Sequence, residues 1–524
     1  MKSMLLGVWV VLLLVGCGDR ERTATSDEPR TGGVAVVALD ADPRTFNPVR
    51  MTTAQAARVF AMLQPGLVRL DPDTGDWQPG LATGWTVADD GMQVTLTLDT
   101  TLRWSDGEPF TADDVVASFD LYRDPGVAYP QRARLDPIEG VVAVDDGTVR
   151  IDFASAPGDP IALLAHIVLP AHVIEGFDRD DPSAWSVGRA PVTLGFYRLA
   201  SWEQDDRLVL ERNPHHPGPA GRLDRIQVVV VPDAAVRALQ LRTGEADLVA
   251  ALPVNQAANL QDEPDVAIER VFGRSVAFLQ YDLDDPIVGD VRVRRAIDLA
   301  LDRDALVRGV LFGHARAAGT FLPPVSWAYD VSLEPTARDL DAARALLDEA
   351  GFVGDGVRTR DDEALRIRML SVTGDPIREA VASSIRAQLA EVGIEIVLRP
   401  IELASLVQAV RGDDFQMLFA QLSGPVDADV RPFFRSDGRF NFGGFSDERF
   451  DTWADTAVNA TDRAEALDAA RAMQQMLVER QVVTPLYYPA TLVARRDRLR
   501  GIAPTWLTPF AAVDQWWVTD APAP

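Results

Sequence analysis

The five histidines, His166, His172, His215, His216 and His314, are the side chains best suited to bind a transition metal or to move protons near neutral pH. Their spacing supports neither role. No His-Glu-x-x-His run is present, and His215-His216, enclosed by Asn213-Pro214 and Pro217-Gly218, reads as an exposed turn. The stretch Asp71-Pro72-Asp73-Thr74-Gly75-Asp76 starts like a calcium loop, but its twelfth position is Ala82, where that loop needs a bidentate glutamate. Lys2 is the single lysine and Cys17 the single cysteine. The body of the chain therefore lacks a phosphate-gripping lysine, a Schiff-base lysine, a thiolate nucleophile and a disulfide, which argues against ATP hydrolysis by this chain. No Gly-x-Ser-x-Gly elbow occurs, and Gly351, Gly354 and Gly356 do not follow a strand in dinucleotide-binding register. Carboxylates are abundant, yet nothing in their spacing selects a pair for glycoside or peptide hydrolysis. The expectation is a protein without cofactor, metal or catalytic group.

With 524 residues, 47% hydrophobic and 25% charged, the composition is that of a globular protein, and the length fits two to four domains at roughly 150 residues each. A formal charge of −27 repels phosphate backbones, and no run of arginines interleaved with aromatics offsets it, so nucleic acid is not an expected partner. Lys2 precedes an apolar stretch from Met4 to Val15, followed at once by Gly18-Asp19-Arg20-Glu21-Arg22. That stretch is short of the roughly 20 apolar residues a membrane-spanning helix needs, so it reads as a secretory signal. Leu14-Val15-Gly16-Cys17 resembles a bacterial lipobox, which makes residues 1–16 the signal peptide and Cys17 the lipidated start of the mature chain. A core cysteine is the alternative reading. Residues 17–32 carry almost no apolar side chain and read as a tether, which places the folded body outside the cytoplasm, anchored to a membrane by lipid.

Several segments must build the scaffold. Gly33 to Leu39 is a first buried strand. Gln93 to Leu98 and Val149 to Phe153 alternate apolar and polar residues and point to an antiparallel sheet within residues 68–187. Asp224 to Val231 is a β-branched run of the kind covered on both faces. Helical spacing marks Asp233 to Thr243, Arg292 to Leu311, Leu340 to Ala350, Pro376 to Val392 and Arg463 to Arg480, interleaved with strands at Ile394 to Leu398 and Met417 to Leu422. The fold class is α/β, and no fixed-period repeat is present. In Trp104-Ser105-Asp106-Gly107 the glycine suits a turn, and Thr111 can cap the helix that follows. Gly351 reads as a helix C-cap, and Trp77, Trp85 and Trp104 as core anchors.

Residues 66–119 contain, in order, Pro79-Gly80-Leu81-Ala82, Trp85, Asp89-Asp90-Gly91 and Trp104-Ser105-Asp106-Gly107-Glu108-Pro109-Phe110-Thr111-Ala112-Asp113-Asp114-Val115. Further pieces are Gly244-Glu245-Ala246-Asp247-Leu248 and the segments 291–311, 341–352, 388–394, 443–451 and 485–488. Together they span most of the mature chain and resemble the solute-binding lipoproteins of peptide and nickel type ABC importers. The resemblance implies a periplasmic binding protein-like fold, with two large mixed α/β lobes around a ligand cleft and an extra inserted lobe. Its boundaries here would be 33–67, 188–276 and 490–520 for the first lobe, 68–187 for the inserted lobe and 277–489 for the third. It also implies a monomer that binds a peptide or other small solute by lobe closure and delivers it to an ABC permease driven by a separate ATPase. The family holds a peptide's amine with an aspartate after a late strand. The matching residue is Asp427, with Asp429 beside it, and Asn441, Tyr487 and Tyr488 fall near cleft-lining positions. Asp427 capping its own turn is the other reading. Peptide binders usually carry a tryptophan just before this aspartate, whereas this chain has Leu422-Ser423-Gly424-Pro425, which leaves room for another ligand. A secreted hydrolase on the same scaffold, or a surface sensor or adhesion lipoprotein, are the alternative functions.

Overall fold

The computed structural model describes residues 28–519 except 179, 219–220, 413–414 and 461; the leader and Cys17 lie outside the described residues. Twelve strands form one extended mixed sheet, and four others, at Ala82–Val87, Gln93–Leu98, Ile138–Asp145 and Thr148–Phe153, form a separate antiparallel sheet. The two alternating segments of the sequence are direct neighbours there, with Leu96 opposite Val149 and Val94 opposite Ile151.

The long strand Val483–Arg496 organises the large sheet. Its first half pairs with Ser275–Tyr281 and Ala315–Ala317, and Pro489 is the last residue opposite the latter. From Ala490 onward it pairs with Val266–Phe272, and near its end with Leu248–Val249. Outward from the first half lie Met417–Ser423, Arg366–Val372 and Glu395–Ile401. Outward from the second lie Val34–Leu39, Arg225–Val230, Arg207–Arg212 and Tyr197–Glu203. Parallel pairing of Val34–Leu39 with Arg225–Val230 explains the β-branched run: Ile226 and Val228 are fully buried, while Val229 packs against the cluster on the other face.

Buried side chains group by these halves. One pair of clusters draws on residues around Ala277, Ile297, Leu389 and Phe434, another on residues around Ala35, Phe60, Leu241 and Trp516, and a fifth surrounds Trp104 and Phe119 over the four-stranded sheet. Separate cores around a shared sheet give two large α/β lobes and a smaller one, the architecture of a periplasmic binding protein.

The recognisable motifs hold this scaffold together. Asp114 is buried, and its carboxylate accepts N–H bonds from Thr111 (2.9 Å), Ala171 (2.7 Å) and the Trp104 indole (3.1 Å). One side chain thus fixes the helix start, the preceding tryptophan and a distant segment. Burial raises its pKa from the ordinary carboxylate value against the pull of those three donors. Trp77 and Trp85 pack half-buried on the same core. The single helix expected over 292–311 is broken: Val291–Ala300 ends, and Asp302 caps a new turn by accepting the Ala305 N–H at 2.7 Å. The break turns Arg303 inward, where it meets the Asp298 carboxylate and donates to the Pro485 carbonyl (2.9 Å). Arg294, in the helix before the break, donates to the carbonyls of Gln481 and Arg480 (2.7 and 2.9 Å).

His166 lies in the core of the small lobe, its Nδ1 2.8 Å from the Tyr129 hydroxyl and its ring edge-on to Phe119. Burial, helped by the Arg134 charge, pushes its pKa down from 6.5 to about 4. The folded state keeps the ring neutral while the unfolded chain takes up a proton below about pH 6.5. Stability is therefore full above that pH and falls as the pH drops toward 4. Urea midpoints measured across this range will decline in the parent protein and flatten in His166→Gln.

Candidate functional site

Two chain crossings join the large lobes at the floor of a crevice. One is Pro489 to Ala490 within the long strand, where its partners change. The other is Gly273-Arg274, between the strands Val266–Phe272 and Ser275–Tyr281. The carbonyl of Arg274 accepts the Gly424 N–H at 2.7 Å, which ties this turn to the end of the strand Met417–Ser423. A Cβ on Gly424 would come within 3.0 Å of Pro323 and 3.3 Å of the Arg274 oxygen, so the close approach calls for glycine there.

Above these crossings is a cavity of about 440 Å³ lined on one side by Arg58 and its helix Ala54–Phe60, and on the other by Trp506 and Thr505. Ser423 lies on its rim and also on the rim of a second cavity of about 350 Å³, set in the other lobe and lined by Phe321, Phe433, Phe440 and Phe442 with Gln280 and Gln421. Phe433 stacks on Phe440 at 5.6 Å between centroids, and Phe321 meets Phe434 edge-on at 4.8 Å, so this wall is a packed aromatic surface. Ala61 and Thr508 extend the crevice the other way, into a space of about 620 Å³ beside the small lobe. The Trp506 indole donates to the Pro72 carbonyl (2.9 Å), fastening one wall to the small lobe. The cavities adjoin at shared lining residues and combine a polar floor with an apolar aromatic wall, the form of a ligand site.

Asp427 and Asp429 sit four and six residues beyond Ser423, in the loop before the short helix Arg431–Phe434. Asp427 is exposed, and its carboxylate accepts the Asp429 N–H at 3.3 Å. Asp429 is held by the Arg431 guanidinium at 2.8 and 3.0 Å. The Asn441 amide donates to the carbonyls of Arg435 and Phe445 and its oxygen accepts the Phe445 N–H, bonds that set the loop carrying Phe440 and Phe442. Tyr487 and Tyr488 are each 1% exposed. They point to opposite faces of the long strand, each into a separate core, and the Tyr488 hydroxyl donates to the Thr320 carbonyl at 2.6 Å. Burial raises both phenol pKa values. His215 is exposed in a turn, and no group of three or more His, Cys, Asp or Glu able to hold a metal occurs among the described residues.

The sequence reading missed Arg58, Arg274, Trp506 and the phenylalanine wall. Phe433-Phe434 served there only as a landmark, although the density of phenylalanine from 433 to 450 was a signal for an aromatic surface.

A lobed α/β body with a groove over two chain crossings defines a solute-binding protein. The family model described as bacterial extracellular solute-binding proteins, family 5 (middle) matches residues 76–441, and the chain belongs to this family. Among its relatives, Protein XP55 of Streptomyces lividans is 29% identical over 481 residues, covering 89% of this chain and 85% of XP55. The oligopeptide-binding protein AppA of Bacillus subtilis is 24% identical over 535 residues, 98% of each chain. In fold, the chain is similar to the ABC transporter substrate binding protein CtaP of Listeria monocytogenes, with a TM-score of 0.83 and 21% identity over 94% of this chain and all of that one. No helix among the described residues is long and apolar enough to cross a membrane.

Proposed function

We propose that this chain is the receptor of an ABC importer, capturing a peptide or peptide-sized solute between its two large lobes and delivering it to a membrane permease driven by a separate ATPase. The groove meeting at Ser423 carries this reading, because its walls belong to different lobes and its floor is the two crossings at 273–274 and 489–490. Rotation about so few residues brings the walls together, and a solute that touches both walls favours the closed form by its extra contacts there. The separate cores support lobes at 33–67 with 188–273 and 490–520, at 68–187, and at 274–489; the boundary expected at 276/277 moves to the crossing because Val276 packs in the core of the third lobe. The peptide assignment draws on the relative described as oligopeptide-binding. In this reading Cys17 carries the lipid anchor on the outer side of a membrane, and the body is a monomer.

Small-angle scattering of the purified chain, with and without a saturating pool of synthetic tri- to pentapeptides, tests the reading. The radius of gyration will fall on saturation, with occupancy verified by native mass spectrometry; an unchanged radius at full occupancy would overturn lobe closure. Asp427 lines neither cavity but stands exposed in the loop four residues beyond Ser423, and it is the carboxylate left there to meet a peptide's ammonium, since Asp429 is neutralised by Arg431. Asp427→Asn will weaken binding of free-amine peptides about tenfold, the scale of one charge-assisted hydrogen bond, and leave N-acetylated peptides unaffected in isothermal titration.

A further inference from the structure

We infer that the crevice floor is a carboxylate-binding subsite formed by Arg58 and Arg274, so that the cargo is a peptide-like solute held by its anionic end there and by apolar side chains on the phenylalanine wall. The inference rests on the receptor reading above and specifies its ligand. Arg58 comes from the helix Ala54–Phe60 of one lobe and Arg274 from the turn at the crossing, and both line the same cavity of about 440 Å³. Neither guanidinium makes a hydrogen bond or ion pair among the described residues. No aspartate or glutamate lines this cavity, although the chain has 78 acidic residues against 51 basic ones.

That local reversal of sign is the telling feature. A chain of formal charge −27 disfavours an approaching anion everywhere except where cations stand without carboxylates beside them. A guanidinium is a planar fork of donors that matches the two oxygens of a carboxylate, and two arginines line this one space. Ser275, Ser423 and Thr491 line the same cavity and add hydroxyl donors. The Arg274 backbone is fixed through its carbonyl bond to Gly424, so its side chain springs from a set position. Past Ser423 the groove becomes the Phe321, Phe433, Phe440 and Phe442 wall, whose cavity has no charged lining residue. A solute fitting both parts has a carboxylate at one end and apolar or aromatic groups a few bonds away.

Native mass spectrometry of the full chain tests this with three synthetic pools of phenylalanine-containing tri- to pentapeptides: free acids, the same sequences as C-terminal amides, and amides carrying one glutamate. Free acids will be captured at least about tenfold better than plain amides, the scale of a charge-assisted hydrogen bond. Capture of the glutamate-bearing amides at the level of the free acids would assign the anion to a side chain and still support the subsite; rejection would assign it to the C-terminus. Arg58→Gln with Arg274→Gln will abolish the preference while residual capture through the aromatic wall persists, and circular dichroism will show the fold unchanged. Equal capture of acids and plain amides by the parent protein would overturn the carboxylate subsite and leave the receptor reading standing. Failure to capture any pool would overturn the peptide receptor reading itself.

Discussion

Replacing Asp298 with alanine is expected to destabilise the lobe that carries it by about 3–5 kcal/mol, because it strands a buried guanidinium. Asp298 and Arg303 are 6% and 5% exposed. One Asp298 oxygen meets Arg303 and the other accepts the Thr336 hydroxyl at 2.6 Å, so the carboxylate is fully engaged. Arg303 then reaches the Pro485 carbonyl at the start of the long strand. Removing the carboxylate leaves a buried positive charge with carbonyls as its remaining partners. Urea denaturation read by tryptophan fluorescence will show the loss as a lowered midpoint. The paired variant Asp298→Leu with Arg303→Met removes both charges, and it will recover a large part of the loss, since a hydrophobic pair of similar volume replaces an ion pair at little cost. If the single and paired variants were equally destabilised, packing at Asp298 would be the cause, and the charge argument would fail. The consequence bears on function: this pair fastens a helix to the strand that passes through the floor of the groove.

Much of the scaffold was legible because its signals are local. The alternation of Gln93–Leu98 and the helical spacing over 233–243 reported their own structure, and both elements are present. The break inside 292–311 was not legible, since helical spacing continues across Leu301-Asp302 and the force that turns Arg303 inward comes from Asp298 and Pro485. The groove was harder to read for a related reason. In a strand, neighbouring residues face opposite ways, and one of each pair usually meets solvent or ligand. Tyr487 and Tyr488 do not follow that pattern because each face of the long strand has its own core. Asn441 likewise has a polar side chain whose partners lie within its own loop, a fact that no neighbouring residue announces. Arg58 and Arg274 are more than two hundred positions apart and look ordinary in a chain with so many arginines; they become distinctive only where folding places them in one cavity without a carboxylate.

Ser423→Trp is expected to abolish capture of free-acid peptides, with a loss of about a hundredfold or more, equivalent to about 2.7 kcal/mol. Ser423 is exposed at the end of its strand and lies on the rim of both cavities, so a bulky ring there obstructs the passage between the polar floor and the aromatic wall. A ligand then keeps one set of contacts and loses the other, and the closed form loses the bridging interaction that favours it. Folding should be indifferent, because an exposed position away from any core changes stability within about 0.5 kcal/mol. The contrast with Asp298→Ala separates scaffold from site: one variant lowers the denaturation midpoint, and the other leaves the midpoint in place while titration heats and the scattering change with peptide vanish. Retention of full affinity in Ser423→Trp would show that the solute occupies only one of the two cavities. The space beside the small lobe, reached through Ala61 and Thr508, would then be the place to look for the remainder of its contacts.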